Sequence, residues 1–241
     1  MVTSYAVLAR PLKNVCLLIV LTCLLSACQT AARSTNPTLV QGSDVHRVLM
    51  MPIDIEVSEL GLGVKEPRAD WTRAAELHIS SALKDQLVNR NVELIETTDY
   101  VSLENRDDQV VQLIKLHEAV ASSIVLSTRA PDLLPNKRNT FDWTLGETAT
   151  SLKEDYEAEY ALFTFVRDAH SSAERVMAGV VTALLFGVAP QGGQQIGYAS
   201  LVDLKSGQIV WFNSLVRGTG DLREAQPAHE AIQLLLTDFP S

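Results

Sequence analysis

The sequence predicts an α/β fold, with a mixed sheet of about five strands flanked by helices, a carboxy-terminal β-hairpin and a last helix. Three observations carry that expectation. Strand-like runs alternate with helix-period segments through the first half of the chain. Tyr160 to Val166, inside EYALFTFVRD, is almost unbroken apolar and aromatic sequence, as expected of a central strand covered on both faces. Near the end, two apolar runs flank Lys205-Ser206-Gly207-Gln208, where Gly207 can supply the positive φ of a tight turn.

Taken in order, His46 to Val57 (HRVLMMPIDIEV) reads as the first strand. Its apolar run Val48 to Met51 suits a strand covered on both faces, and Pro52, lacking an N–H, should weaken pairing there. Ser58 to Ala69 contains two glycines and a proline and reads as a loop. Asp70 is the expected N-cap of a helix to Arg90, with Trp71, Ala75, Ile79, Ala82, Leu83 and Leu87 on its inner face. Val92 to Glu96 is a short second strand. Asp107 to Leu126 reads as a second helix, with Val110, Val111, Ile114 and Ala121 inward. A polar, proline-containing break over Thr128 to Asn139 separates it from a short acidic helix, Thr144 to Glu157. Glu159 to Asp168 is then the central strand, and Ile196 to Leu204 with Ile209 to Val216 form the hairpin. Asp221 to Phe239 closes the chain as a helix with Pro227 in its first turn and Ala228, Ile232, Leu235 and Phe239 in one stripe. There is no internal repeat, so residues 46–241 are expected to form a single domain.

The amino terminus reads differently. Arg10 and Lys13 precede an apolar run, Val15 to Leu25, and small residues then lead to a cysteine: Leu25-Ser26-Ala27-Cys28. A basic start, a short apolar core and a small-residue cleavage site make a secretory signal. The run is about half the ~20 apolar residues that a spanning helix needs. Leu-Ser-Ala-Cys resembles the lipobox of bacterial lipoproteins. The resemblance implies a diacylglycerol on the Cys28 sulfur, cleavage before Cys28 and acylation of the new amine. Residues 1–27 are then a signal peptide and residues 28–45 a lipidated tether; QTAARSTNPTLVQGSD, Gln29 to Asp44, is polar and has no apolar period. As flexible coil it would reach on the order of 20 Å. In Gram-negative lipoprotein sorting, Gln29 in place of an aspartate favours the outer membrane, on its periplasmic side.

Cleavage would leave about 214 residues, enough for one substantial core. Of the three cysteines, Cys16 and Cys23 fall in the signal, so no disulfide or thiolate metal site can form within one mature chain. Losing Arg10 and Lys13 leaves 18 basic against 29 acidic residues, a net charge of −11. Such a chain is not expected to bind nucleic acid. The expected partners are the membrane, through lipid on Cys28, and envelope protein, including further copies of the chain.

Beyond the lipobox, the strand RVLMMPI, a long helix, EYALFTFVRD, an insertion and GYASLVDLKSGQIVWFNSL follow one another. This order resembles the α/β domain of the curli-secretion channel lipoprotein (CsgG-like), of the outer-membrane lipoprotein activators of penicillin-binding proteins, and of the amino-terminal domain of TolB. The most telling piece is Asp203-Leu204-Lys205-Ser206-Gly207, followed by a strand carrying Trp211. The likeness spans roughly His46 to Leu236 and implies a non-catalytic envelope lipoprotein.

No residue set predicts catalysis, a cofactor or a metal. Asp168, His170, Ser171 and Ser172 combine acid, base and hydroxyls, but neighbouring residues at a strand end diverge, no G-x-S-x-G elbow is present, and Ser171 or Ser172 is the expected cap of a helix. The histidines His46, His78, His117, His170 and His229 lack the spacing of a helical zinc motif and are expected on helix surfaces. Gly192-Gly193 lacks the lysine and hydroxyl of a phosphate loop and reads as a turn. Val176 to Val188 (VMAGVVTALLFGV) carries no charge. Its first expectation is a buried core helix. The second is a self-association surface built from Val176, Gly179, Val180, Ala183, Leu184 and Gly187. The third is membrane contact, although the run lacks the polar/apolar alternation of a barrel strand.

Two functions follow. One is a lipid-anchored, partner-binding or envelope-assembly factor. The alternative is an oligomeric secretion or transport component related to the curli channel. A hydrolase centred on Asp168 and His170 ranks third.

Overall fold

The apolar and aromatic run Tyr160 to Val166 becomes the spine of the sheet. The computed structural model describes residues 28–34, 46–90, 92–96, 108–186 and 193–240. The strands are β1 (Cys28–Ser34), β2 (His46–Met50), β3 (Asp54–Leu60), β4 (Lys65–Pro67), β5 (Val92–Glu96), β6 (Tyr160–Ser171), β7 (Gln194–Asp203) and β8 (Ile209–Arg217). The helices are α1 (Ala69–Val88), α2 (Asp108–Arg129), α3 (Ser151–Tyr156), α4 (Ala173–Phe186) and α5 (Ala225–Leu235), with short 3-10 turns between α2 and α3.

The sheet has eight strands in the order β1-β8-β7-β6-β2-β5, with β3 also on β6 and β4 on β3. It is mixed: β2, β3 and β6 run parallel, as do β2 and β5, while β6, β7, β8 and β1 alternate in direction. β6 is central because both its edges are used. β7 covers one edge over ten register pairs, and β2 and β3 share the other.

The fold class stands as the sequence predicts it, and the larger strand count has local causes. The first strand splits at Pro52 into β2 and β3, and β3 re-pairs further along β6. The expected loop after Ser58 is a hairpin instead. Gly61 N–H donates to Val64 O, and Lys65 to Glu56 (2.8 Å) and Arg68 to Glu59 (2.6 Å) tie its arms together. The tether also differs. Its first residues form β1, paired antiparallel with β8 from Cys28↔Arg217 to Ser34↔Trp211, because an open sheet edge offers unpaired N–H and C=O groups to any extended chain. Residues 35–45 lie outside the described residues, as do residues 1–27.

Two apolar layers cover the sheet. On one face Val48, Met50, Leu162, Leu201 and Trp211 meet α1 and α5. On the other, Leu49, Met51, Phe163, Tyr198 and Phe212 meet α2 and α3. The alternation Val48/Leu49/Met50/Met51 follows from the two-residue period of a strand. Val110–Arg129 is long and apolar enough to cross a bilayer by length and composition, but Leu113, His117, Ala121 and Ile124 are buried on the sheet, so α2 is a core helix. Asp70 is not the cap of α1: that place falls to Arg68, without a side-chain bond, and Asp70 sits within the first turn.

The β7–β8 turn is built as expected. Asp203 accepts from Lys205 N–H (2.7 Å) and from the Ser206 hydroxyl (3.1 Å), and Gly207 takes φ +70. A Cβ at Gly207 would lie 2.1 Å from Gly146 O. Gly207→Ala is therefore expected to cost more than the ~1–2 kcal/mol of a left-handed residue alone, read as a lowered urea midpoint. An unchanged midpoint would contradict this packing.

Candidate functional site

One rim of the sheet gathers the residues that matter. The register places Cys28 opposite Arg217, Arg217 opposite Gln195, Gln195 opposite Asp168 and Asp168 opposite Val57. The row crosses β1, β8, β7, β6 and β3. At this rim β6 ends and α4 begins. Ser172 makes the junction: its N–H donates to Leu60 O (2.9 Å), and its hydroxyl accepts from Arg175 N–H (3.3 Å) as a helix cap. Arg175 Nη1 donates to Gly61 O, binding the start of α4 to the β3–β4 turn.

α4 departs from the expected core helix. Val176, Met177, Val180, Val181, Leu184 and Leu185 are all exposed, Leu184 by 81%. At 100° per residue these side chains span an arc of about 180°. The inner side carries Gly179, which is buried, and Ala183 and Thr182, which are half-buried. A helix on a water-facing surface turns its polar arc outward; α4 turns its apolar arc outward. Of the residues expected to self-associate, Val176, Val180 and Leu184 face out, Gly179 faces in, and Gly187 lies outside the described residues. Leu62 and Val64, on the neighbouring β3–β4 turn, are exposed by 70% and 64%.

Behind the same rim lies a polar cluster. Asp168, 2% exposed, accepts from Leu222 N–H (3.0 Å) and meets His170 Nε2 at 2.9 Å. His170 Nε2 is 3.5 Å from Asp221. Asp221 is held below the usual carboxylate range, chiefly by hydrogen bonds from Arg223, which contacts both its oxygens at 2.8 and 2.6 Å. The Arg223 and Arg68 guanidiniums lie over the Trp71 ring at 4.2 and 4.5 Å, and Trp71 meets His170 edge-on. Gly193 is a close-approach position rather than a free turn, since a Cβ there would lie 2.1 Å from Ala169 O.

The expectation that Asp168 and His170 diverge is thus corrected. Residues two apart on a strand share a face, and the period-2 rule was the signal that could have joined them. Asp221 arrives from the loop after β8, which no local pattern could supply. The ligand atoms of Asp168, His170 and Asp221 lie within 4.8 Å of one another, a spacing that suits a cation. Arg223 already supplies a cation to Asp221, and Leu222 N–H occupies Asp168. The cluster works as a plug that fastens the 218–223 loop to the sheet. Among the described residues no nucleophile lies in reach of it: Ser172 is engaged as the cap, and His170 Nε2 faces the carboxylates of Asp168 and Asp221.

His117 is also corrected. It is a core residue, not a helix-surface one, 3% exposed, stacked on Phe163 (4.0 Å) with Nε2 against the Ser200 hydroxyl at 2.5 Å. Burial pushes its pKa down to about 3. Near it, a cleft of about 460 Å³ opens between α2 and the sheet, lined by Glu118, Arg129, Phe165, Arg167 and Tyr198 among others. Arg167 bonds Asp54 (2.7 Å) and lies over Phe165, so its charge is neutralised inside the cleft.

No protein family matches the chain, and no curated protein does. Among solved structures, the chain is similar to the PelC dodecamer from Paraburkholderia phytofirmans at 12% identity and TM-score 0.40, covering 88% of this chain and 99% of that one. It is also similar to the LpoB C-terminal domain from Salmonella enterica, with TM-score 0.27 and 12% identity, covering 73% of this chain and 85% of that one. Likeness of this size carries neither a family nor an activity to this chain.

Proposed function

We propose that this protein is a lipid-anchored lipoprotein of the outer membrane, facing the periplasm, and that it acts without catalysis as a partner-binding or envelope-assembly factor. The observation that carries the reading is Leu25-Ser26-Ala27-Cys28 behind a basic start and a short apolar run. Two features support it. The acid–base cluster among the described residues is committed to holding a loop, and the mature chain is strongly acidic, which turns it from nucleic acid toward protein or neutral surfaces.

Metabolic labelling tests the anchor. Radioactive palmitate should mark the protein, and Cys28→Ser should abolish the mark and leave the precursor uncleaved. An unmarked wild-type protein, or a mark that survives Cys28→Ser, would sink the proposal. Crosslinking in the intact envelope should then recover one protein partner in fixed stoichiometry. Turnover of a substrate by the purified chain with no partner present would replace this reading with an enzymatic one.

A further inference from the structure

We infer that α4 and the β3–β4 turn dock onto a zwitterionic lipid surface, so that the rim of the sheet sits directly on the leaflet. The inference rests on the proposed lipid anchor for the direction of the membrane. It adds a second, non-covalent contact that the anchor does not require.

α4 shows solvent an apolar arc formed by Val176, Met177, Val180, Val181, Leu184 and Leu185. Exposed apolar patches of this kind mark a contact. Leu62 and Val64 extend it across the turn that Arg175 and Ser172 fasten to the helix.

Cleavage before Cys28 would make that residue the mature amino terminus, and the backbone register puts it in the ladder at this rim, opposite Arg217. Three strand spacings, roughly 14 Å, separate Cys28 from Asp168, and α4 starts five residues beyond. With β1 in the sheet, no slack separates acyl chains from domain. Lipid on Cys28 brings the leaflet to the rim on which α4 stands.

The make-up of the arc favours lipid over a second copy of the chain. The self-association that Gly179 and Ala183 offered, a close small-residue contact of two helices, needs those residues turned outward. Here Gly179 is buried within its own molecule and Ala183 is half-buried, so the small-residue side is turned away. The outward arc is made of larger side chains, which a fluid acyl layer accepts without a complementary shape. The nearby charges fix the headgroup. Glu66 and Glu174 line the groove beside Leu62 and Val64, where Glu59 is already paired with Arg68, and these two carboxylates disfavour an anionic surface and suit a zwitterionic one.

The test uses the processed protein, purified from the envelope and reconstituted in phosphatidylcholine vesicles. Acylation should block the Cys28 thiol, and the mature chain holds no other cysteine. Leu184→Cys therefore gives one site for an environment-sensitive fluorophore, and Leu77→Cys, at an exposed position on α1, gives the comparison. The expected result is blue-shifted emission at position 184 that brominated lipid quenches, with water-like, unquenched emission at position 77. Water-like emission at 184 overturns the inference. So does emission that is shielded but insensitive to brominated lipid, which would mean a protein surface, a second copy included, covers the helix. The mass of the amino-terminal peptide separates the two readings. An acylated Cys28 with a water-exposed position 184 defeats only the docking, and an unacylated Cys28, with the fluorophore mapped by mass to position 184 alone and quenched there, defeats only the anchor.

Discussion

Lowering the pH from 7 to 5 is expected to destabilise the fold by about 2 kcal/mol, and His117 is the cause. An unfolded chain protonates this ring near its ordinary value of 6.5, whereas burial holds the folded ring neutral down to about 3. The folded pKa lies below the unfolded one. The stability is therefore complete above about pH 6.5 and is lost as pH falls from there toward 3, at about 1.4 kcal/mol per unit. Glu56 and Asp221 are also held below their ordinary values of 4.5 and 3.8, by Lys65 and Arg223, and act in the same direction. Their losses begin only near those lower values, so the interval between pH 6.5 and 5 belongs to His117. Its ring neighbours are Phe163 and Tyr198, and burial raises the Tyr198 pKa, so that phenol stays neutral here. The check is a pair of urea titrations at pH 7 and 5. His117→Gln, which can keep a hydrogen bond to Ser200, should flatten the difference. Identical midpoints for the wild-type chain at both pH values would show that water reaches the ring.

His117 also illustrates what the sequence could say. The helix around it was legible from its period, and residues four apart, Leu113, His117, Ala121, fall on the buried side. What hid the histidine was its polarity. Only the facing strands, with Ser200 on β7 placed to bond it and Phe163 on β6 to stack on it, make burial tolerable, and they lie 83 and 46 residues along the chain. The same limit applied at Val176 to Val188. Absence of charge predicted a helix correctly, but which arc of it faces outward depends on neighbours that no local pattern names. Pro52 was the opposite case. A missing N–H is a local fact with a local consequence, and the first strand breaks there. Residues 28–34 depart from the expected tether for a reason of their own: they are polar and have no strand pattern, and what orders them is the open edge of β8, which supplies backbone partners without regard to side chains.

Asp168→Ala is expected to lower stability by about 3 kcal/mol, the upper end of the cost of leaving buried hydrogen-bonding groups unpaired. The carboxylate is almost fully buried and joins two separate parts of the chain: β6, where it also meets His170 two residues on, and the loop after β8 through the Leu222 N–H. Truncation leaves that N–H without its acceptor, and an unpaired buried donor costs about 1–3 kcal/mol by itself. Asp168→Asn separates the contributions, since its amide oxygen can still accept from Leu222 while the charge facing His170 is gone. It should cost distinctly less than the alanine variant. His170→Ala should cost least, because that ring is partly solvent-exposed and its removal leaves Asp168 bonded to Leu222. Thermal melts of the three variants decide the order, with a chain of this size losing about 2–4 °C per kcal/mol. A plug requires Asp168→Ala to be the most damaging, Asp168→Asn the next and His170→Ala the mildest. If His170→Ala were instead the most damaging, the cluster would owe its arrangement to the imidazole, and the loop at the rim would be held by the histidine rather than by the buried acid.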